Sequence, residues 1–329
     1  DSNDHSHLRI IEGEDAEIAW SVDLGAAELV KSSPVLTDIN QDGLLEVLVA
    51  YDASGSLIVK AYSPLLECGI TGWSPGGTHA DELLWTWSDS NLAISRPSPS
   101  PSVSISGHRP TTQVLLADVD TDEVHEAIIA VWNEAEERIE VIALNLEMSA
   151  PSDPLWAAVL DQGTHPSDPA YVQTDSNTGY VLITTTDSST GAIWLWKLDG
   201  SNGNEAWSPR TMSNTDGDTN VPHLRLPGPV LSNLDSDPAL EVIVTIPTDL
   251  GGTGNADGAE FRALEVTDGQ TELWSVNAID GYADAPPLPV DTDHDGIFDH
   301  LCWVTWTMTS ESFTQERSGF VGCHDVNQT

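Results

Sequence analysis

The chain has 329 residues, of which 53 are acidic and eleven basic, for a formal charge of −42. A polyanion of this density repels other polyanions, which excludes nucleic acid and anionic membrane surfaces as principal partners. No apolar run reaches the ~18 residues of a spanning helix, so no membrane insertion is expected, and three cysteines do not make a disulfide scaffold.

Residues 1–7 read as a polar tail, with His5 and His7 solvated. Leu8 to Asp23 resembles the end of a repeat rather than its start. Arg9 lies eleven residues before Trp20-Ser21-Val22, and Arg262 lies twelve before Trp274-Ser275-Val276. The simplest expectation is ring closure, the strand around Trp20 completing the last sheet beside Phe320–Asp325.

Four acidic loops of one design then recur. The first presents Asp38, Asn40, Asp42, Leu44 and Glu46; the second Asp118, Asp120, Asp122, Val124 and Glu126. The third presents Asn233, Asp235, Asp237, Ala239 and Glu241; the fourth Asp291, Asp293, Asp295, Ile297 and Asp299. Carboxylates two residues apart repel unless a cation lies between them. Oxygen side chains at positions 1, 3 and 5, a carbonyl at 7 and a closing carboxylate at 9 suit Ca²⁺. About four ions are therefore expected, in a structural role. A fifth copy, Val172-Gln173-Thr174-Asp175 followed by Tyr180–Ile183, keeps the strand frame and loses the ligands. With starts at Asp38, Asp118, Thr174, Asn233 and Asp291, the intervals are 80, 56, 59 and 58 residues. Such periods mark a solenoid, propeller or array.

Each loop runs into a β-branched stretch, such as Val242–Ile246, then a second short strand, then a tryptophan: Trp85, Trp156, Trp207 or Trp274. No sustained 3.6-residue period occurs. The reading is all-β, a single domain over 8–329 built as a β-propeller of four-stranded blades, five in number or part of a larger propeller. One tryptophan per repeat is expected to pack between neighbouring sheets. The long first interval places a surface insertion at about 63–110, rich in Ser-Pro pairs and holding Cys68 and Trp73. Cys302 and Cys323 fall on adjacent antiparallel strands of the last repeat, which predicts a cross-strand disulfide.

The loops resemble the FG-GAP/VCBS repeats of integrin-α-type propellers, whose calcium loop reads D-x-D-x-D-G-x-x-D/E. Trp-Lys-Leu-Asp-Gly at 196–200 and Glu265–Trp274 are similar to the quinoprotein-like (PQQ-like) blade. The resemblance implies a calcium-stabilised propeller. The chain departs from the pattern at loop position 6, which is Gly43 and Gly296 in two loops but Glu123 and Pro238 in the others. Proline cannot adopt the left-handed conformation that Gly offers, so the Asn233 loop is expected to be the weakest site.

No nucleophile motif, phosphate loop or separate acid–base carboxylate pair stands out, and the few basic residues supply a quinone poorly. The expectation is a non-enzymatic, extracellular or cell-surface module for adhesion or assembly, with protein or carbohydrate partners and self-assembly through strand pairing. The alternatives are a subunit of an extracellular filament or surface layer, and a calcium-dependent carbohydrate-active enzyme. The acidic composition favours a saline, calcium-rich or acidic exterior, and the non-Met start without a signal peptide reads as a processed form.

Overall fold

A computed structural model describes residues 6–11, 13, 16–25, 32–39, 41–53, 56–64, 82–89, 112–133, 136–146, 153–187, 192–212, 226–235, 237–248, 258–281, 283, 285–308 and 317–326. These residues are all-β and contain no α-helix. They begin with a hairpin, β1 (His7–Ile11) and β2 (Ile18–Asp23). Four antiparallel meanders follow. The first is β3 (Val35–Thr37), β4 (Glu46–Ala53), β5 (Ser56–Ser63) and β6 (Glu82–Asp89). The second is β7 (Leu115–Ala117), β8 (Glu126–Asn133), β9 (Arg138–Asn145) and β10 (Trp156–Leu160).

The third meander opens with two short strands, β11 (His165–Pro166) and β12 (Ala170–Asp175), which both pair with β13 (Thr178–Thr186). It continues through β14 (Ile193–Asp199) and β15 (Arg210–Met212). The fourth is β16 (Val230–Ser232), β17 (Glu241–Thr248), β18 (Gly258–Glu265) and β19 (Glu272–Asp280). A three-stranded sheet ends the series: β20 (Leu288–Val290), β21 (His300–Met308) and β22 (Arg317–Asp325). Of the expected insertion at 63–110, Glu82–Asp89 is thus the outer strand of the first meander; Cys68 and Trp73 lie outside the described residues.

The long inner strand of each meander is buried on both faces, and its central residues are apolar. Ala127, Ile129 and Val131 of β8 pack towards the first meander with Leu48, Val59 and Trp87. Ile128 and Ala130, one step out of phase, pack towards the third with Ile183 and Trp196. Alternate side chains of a strand point to opposite faces, so one strand serves two sheet-to-sheet cores. The same pattern joins the third meander to the fourth and the fourth to the last sheet, where Phe261 meets Trp303 at 5.7 Å between ring centroids.

The tryptophans pack as expected. Trp85, Trp156 and Trp274 are buried. Trp156 Nε1 donates to Gly200 O of the following meander at 2.6 Å. A Cβ added at Gly269 would lie 2.7 Å from the Trp207 ring, so only glycine admits that ring. Cys302 and Cys323 oppose one another across β21 and β22 and are disulfide-bonded.

Ring closure by the Trp20 strand is not what the structure shows. Among the described residues β2 pairs only with β1, and β22 only with β21. The hairpin lies instead on the face of the first meander, with Leu8, Trp20 and Val22 against Val47, Val49 and Tyr51. Its internal register is that of the fourth meander's last two strands: Arg9 opposes Ser21 and Ile10 opposes Trp20, as Arg262 opposes Ser275 and Ala263 opposes Trp274. The strand around Trp20 carries the apolar face of a half-unit, and burying that face against the next sheet outweighs pairing an edge. Trp20 is 6% exposed and meets the Tyr62 ring edge-on at 5.7 Å. Trp20→Ala is expected to cost ~3–5 kcal/mol, as for large aromatic deletions in cores. Chemical denaturation in calcium should show it as a lowered midpoint; an unchanged midpoint would show that the hairpin does not hold the first meander.

Candidate metal centres

Each acidic loop connects the first long-range partner strand of its sheet to the second: β3 to β4, β7 to β8, β16 to β17 and β20 to β21. All four therefore lie at the same end of equivalent sheets. One hydrogen bond recurs in every loop. The closing carboxylate accepts from the N–H of the second residue: Glu46 from Ile39 at 2.8 Å, Glu126 from Val119 at 2.9 Å, Glu241 from Leu234 at 2.6 Å and Asp299 from Thr292 at 3.0 Å. In each loop, too, the seventh residue's N–H donates to the fifth residue's carboxylate: Leu44 to Asp42, Val124 to Asp122, Ala239 to Asp237 and Ile297 to Asp295.

Loops 1, 2 and 4 share a further closure. The N–H of the sixth residue (Gly43, Glu123, Gly296) donates to the first residue's carboxylate at 2.9, 3.1 and 2.9 Å. The fourth and sixth residues of these loops have positive φ, including the non-glycine Glu123 at 73°. A non-glycine residue there is strained by roughly 1–2 kcal/mol. Pro238 denies loop 3 this closure. The fifth copy has none of this: Asp175 and Thr178 oppose one another across the turn between β12 and β13, and Asn177 N donates to Asp175.

Among the described residues, three groups of carboxylates have ligand oxygens all within 4.8 Å of one another: Asp118, Asp120 and Asp122; Asp235, Glu241 and Glu265; and Asp291, Asp293 and Asp295. Asn40 lies outside the described residues, and loop 1 retains Asp38, Asp42 and a fully buried Glu46 whose second oxygen accepts the Ser63 hydroxyl at 3.3 Å. In loop 3 the Asn233 Nδ2 donates to Gly296 O of loop 4 at 3.2 Å, which leaves its Oδ1 buried and without a hydrogen-bond partner among the described residues. Glu265 was missed from the sequence, because it lies outside any loop. Its signal was positional: a hairpin register counted from Glu241 reaches it as the residue directly opposite.

The fit to a cation rests on orphaned oxygens. Glu126 and Glu241 are fully buried. Each uses one carboxylate oxygen on the loop backbone, and the other has no hydrogen-bond partner among the described residues; Asp120 Oδ1, Asn145 Oδ1 and Asn233 Oδ1 are in the same condition. Burial, aided by the loop aspartates, pushes the Glu126 carboxyl up to about 8 and Glu241 up to about 7. An unshared, buried carboxylate oxygen costs free energy unless a proton or a cation meets it. These donor sets are all oxygen, which suits a hard ion such as Ca²⁺ and not Zn²⁺. Loop 4 differs: Asp299 engages the Thr292 hydroxyl and His300 Nδ1, which holds its carboxyl low and raises the His300 imidazole.

Between loops 1 and 2 lies an open pocket of about 360 Å³, where Thr37, Asp38, Gln41, Glu123 and His125 line the wall together with the apolar Ile39, Val124 and Leu146. Among the described residues no helix is long and apolar enough to cross a membrane.

No family model matches the sequence, and neither does any curated protein. Solved structures do align with it. One is an exo-β-1,3-galactanase from Phanerochaete chrysosporium with β-1,3-galactotriose, at 10% identity and TM-score 0.38, covering 92% of this chain and 60% of that one. Another is an exo-β-1,3-galactanase from Clostridium thermocellum, at 13% identity and TM-score 0.34, covering 73% and 47%. The chain thus spans between about half and three-fifths of the lengths of these proteins. Both of those proteins are enzymes, against the expectation of a non-enzymatic module for adhesion or assembly.

A pH dependence follows from the buried carboxyls. In metal-free protein Glu126 and Glu241 hold their protons to higher pH when folded than when unfolded, where they titrate near 4.5. Their contribution to stability is complete below that value and is lost as pH rises through about 7 to 8. A cation held by these carboxylates would favour the charged form and remove the loss. The calcium-induced rise in Tm is therefore expected to be larger at pH 8 than at pH 5.5; a rise independent of pH would count against these two carboxylates as ligands.

Proposed function

We propose that the chain is a calcium-binding β-propeller structure of FG-GAP/VCBS type, acting outside the cell in carbohydrate-active chemistry. The single observation that carries the calcium reading is the pair of fully buried glutamates, Glu126 and Glu241, each with one oxygen bound to its loop backbone and one unshared. The ion supplies the missing partner and offsets the repulsion among the loop carboxylates. The propeller reading is supported by antiparallel sheets that stack face to face in chain order, four of them with an acidic loop at the same end. Five blades is the count this reading favours. The disulfide Cys302–Cys323 supports an oxidising, extracellular setting.

Calcium modules of the extracellular kind bind at ~10⁻⁴–10⁻³ M. At tenfold excess over Kd each site stabilises the fold by roughly 1.4 kcal/mol. Stripping the metal is therefore expected to lower Tm by several degrees, and calorimetric titration of stripped protein to return three to four sites that prefer Ca²⁺ to Mg²⁺. Absence of binding up to ~10 mM calcium, with Tm unchanged, would remove the reading.

The carbohydrate-active reading is favoured by the open pocket between loops 1 and 2. It places a carboxyl (Glu123) and an imidazole (His125) beside Thr37 and Gln41, groups suited to hydroxyl-rich ligands and proton transfer. The metal loops form its walls, so calcium would set its shape. A panel of polysaccharides that includes β-1,3-galactan, assayed for new reducing ends, is expected to give release that falls when calcium is stripped and in Glu123→Gln. No binding and no release across the panel would end this reading.

A further inference from the structure

Loop 3 solves its ligand problem differently from the other three. Its sixth residue is Pro238, which has no N–H and a φ fixed near −65°. The N–H that holds the first-position carboxylate in loops 1, 2 and 4 is therefore missing, and the first residue is Asn233 rather than Asp. Asn233 is tied to loop 4 by two hydrogen bonds, from its Nδ2 to Gly296 O and from Phe298 N to its own carbonyl. A first-position carboxylate has been lost, and the neutral amide in its place commits its Nδ2 to loop 4 and leaves only its Oδ1 unpartnered.

A carboxylate from the next strand occupies the gap. Glu265, at the end of β18, directly opposes Glu241 in the ladder, and its oxygen lies with those of Asp235 and Glu241 inside the 4.8 Å group. Glu241 is fully buried and its Oε1 belongs to no hydrogen bond among the described residues. Three carboxylates whose oxygens converge, one of them buried and unpartnered, repel one another unless a cation or a proton lies among them. The corresponding seat in the second sheet is Asn145, which opposes Glu126 and also has a buried, unpartnered Oδ1. In loop 4 the residue after β22, Val326, offers no side-chain oxygen, and there Asp299 is satisfied by Thr292 and His300.

We propose that Glu265 is a cation ligand that replaces the first-position carboxylate of loop 3, so that this site spans two strands, β17 and β18, rather than one loop. The proposal rests on the calcium reading of the loops. It reverses the ranking expected from Pro238: the third site carries three carboxylates of its own and is not the weakest. Its ion also clamps the far end of β18 to the start of β17, where a loop-only site would hold the loop alone.

The test uses the full chain, stripped of metal and titrated with Ca²⁺ by calorimetry, with Tm read in both states. Glu265→Gln, and Glu265→Asn as the variant that copies the second sheet, are expected to lose one site or weaken it at least tenfold. Their metal-free Tm is expected to equal or exceed that of the parent, since a repelling carboxylate has gone. Asp120→Asn serves as the control for loop 2. If Asp120→Asn loses a site while both Glu265 variants titrate like the parent, the Glu265 assignment is overturned and the calcium reading stands. If the parent binds no calcium, both fall. A metal-free Tm lowered as much as the loaded one would make Glu265 a packing residue and would also overturn the proposal.

Discussion

The interaction on which the loops depend is the bond from the second residue's N–H to a carboxylate seven residues later. It recurs in all four acidic loops, with Glu46, Glu126, Glu241 and Asp299 as acceptors. It bends the chain back so that the short first strand and the long second strand of each sheet enter in register. It also draws a charge to the base of a β-sheet, where three of the four carboxylates have no exposed surface. A backbone N–H satisfies one oxygen only. What meets the other differs from loop to loop: the Ser63 hydroxyl in loop 1, the Thr292 hydroxyl in loop 4, where His300 Nδ1 shares the first oxygen, and no protein group among the described residues in loops 2 and 3. The fifth copy shows the converse. With a tight turn and no buried carboxylate, β12 and β13 still pair and still pack, so the strand frame does not need the metal.

The sheets themselves are held by two-sided burial. Each long inner strand is apolar through its middle, as at residues 47–50, 127–131 and 242–244, because alternate residues face one neighbouring sheet and then the other. Tryptophans on the outer strands extend these cores to the edge. The ring of Trp207 fits only because Gly269 leaves the space, and Lys197 lies over that ring and the Tyr180 ring while its ammonium donates to Val266 O at 2.8 Å. Burial lowers the Lys197 pKa, and the carbonyl and two ring faces are what keep a buried ammonium tolerable there.

Much of this was legible because it is local. Alternation of β-branched residues, punctuated by acidic loops, gives the strands; two cysteines on consecutive strands give the disulfide; the resemblance of Arg9…Trp20 to Arg262…Trp274 gives the hairpin's register. The misreadings come from choices that local pattern does not encode. A strand with a free edge and an apolar face can satisfy either, and Trp20 serves the face, which no spacing rule predicts. Glu265 reads as one more acid in an acidic chain until the ladder places it opposite Glu241. Asn233 has its Nδ2 on the adjacent loop's Gly296 carbonyl, a tie between loops that the loop pattern alone does not encode. Pro238 was legible as a fault; that a neighbouring strand supplies a carboxylate beside it was not.

The last sheet shows what the other sheets gain from having neighbours. One of its faces is covered by the fourth meander through Leu301 and Trp303. The other presents Leu288, Val304 and Val321 to solvent at 64, 51 and 78% exposure. Residues directly opposed in an antiparallel ladder share a face, so Cys302 and Cys323 belong with Val304 and Val321 on this open side. Elsewhere that side of a sheet is fixed by a second hydrophobic core. Here a covalent bond ties β21 to β22 in its place, closing a loop of 21 residues of sequence separation. By the chain-entropy argument such a loop removes about 3 kcal/mol of freedom from the unfolded chain, a magnitude comparable with burying one large core side chain. The disulfide thus lies where the sheet has three strands, an unpaired edge among the described residues and no apolar cover.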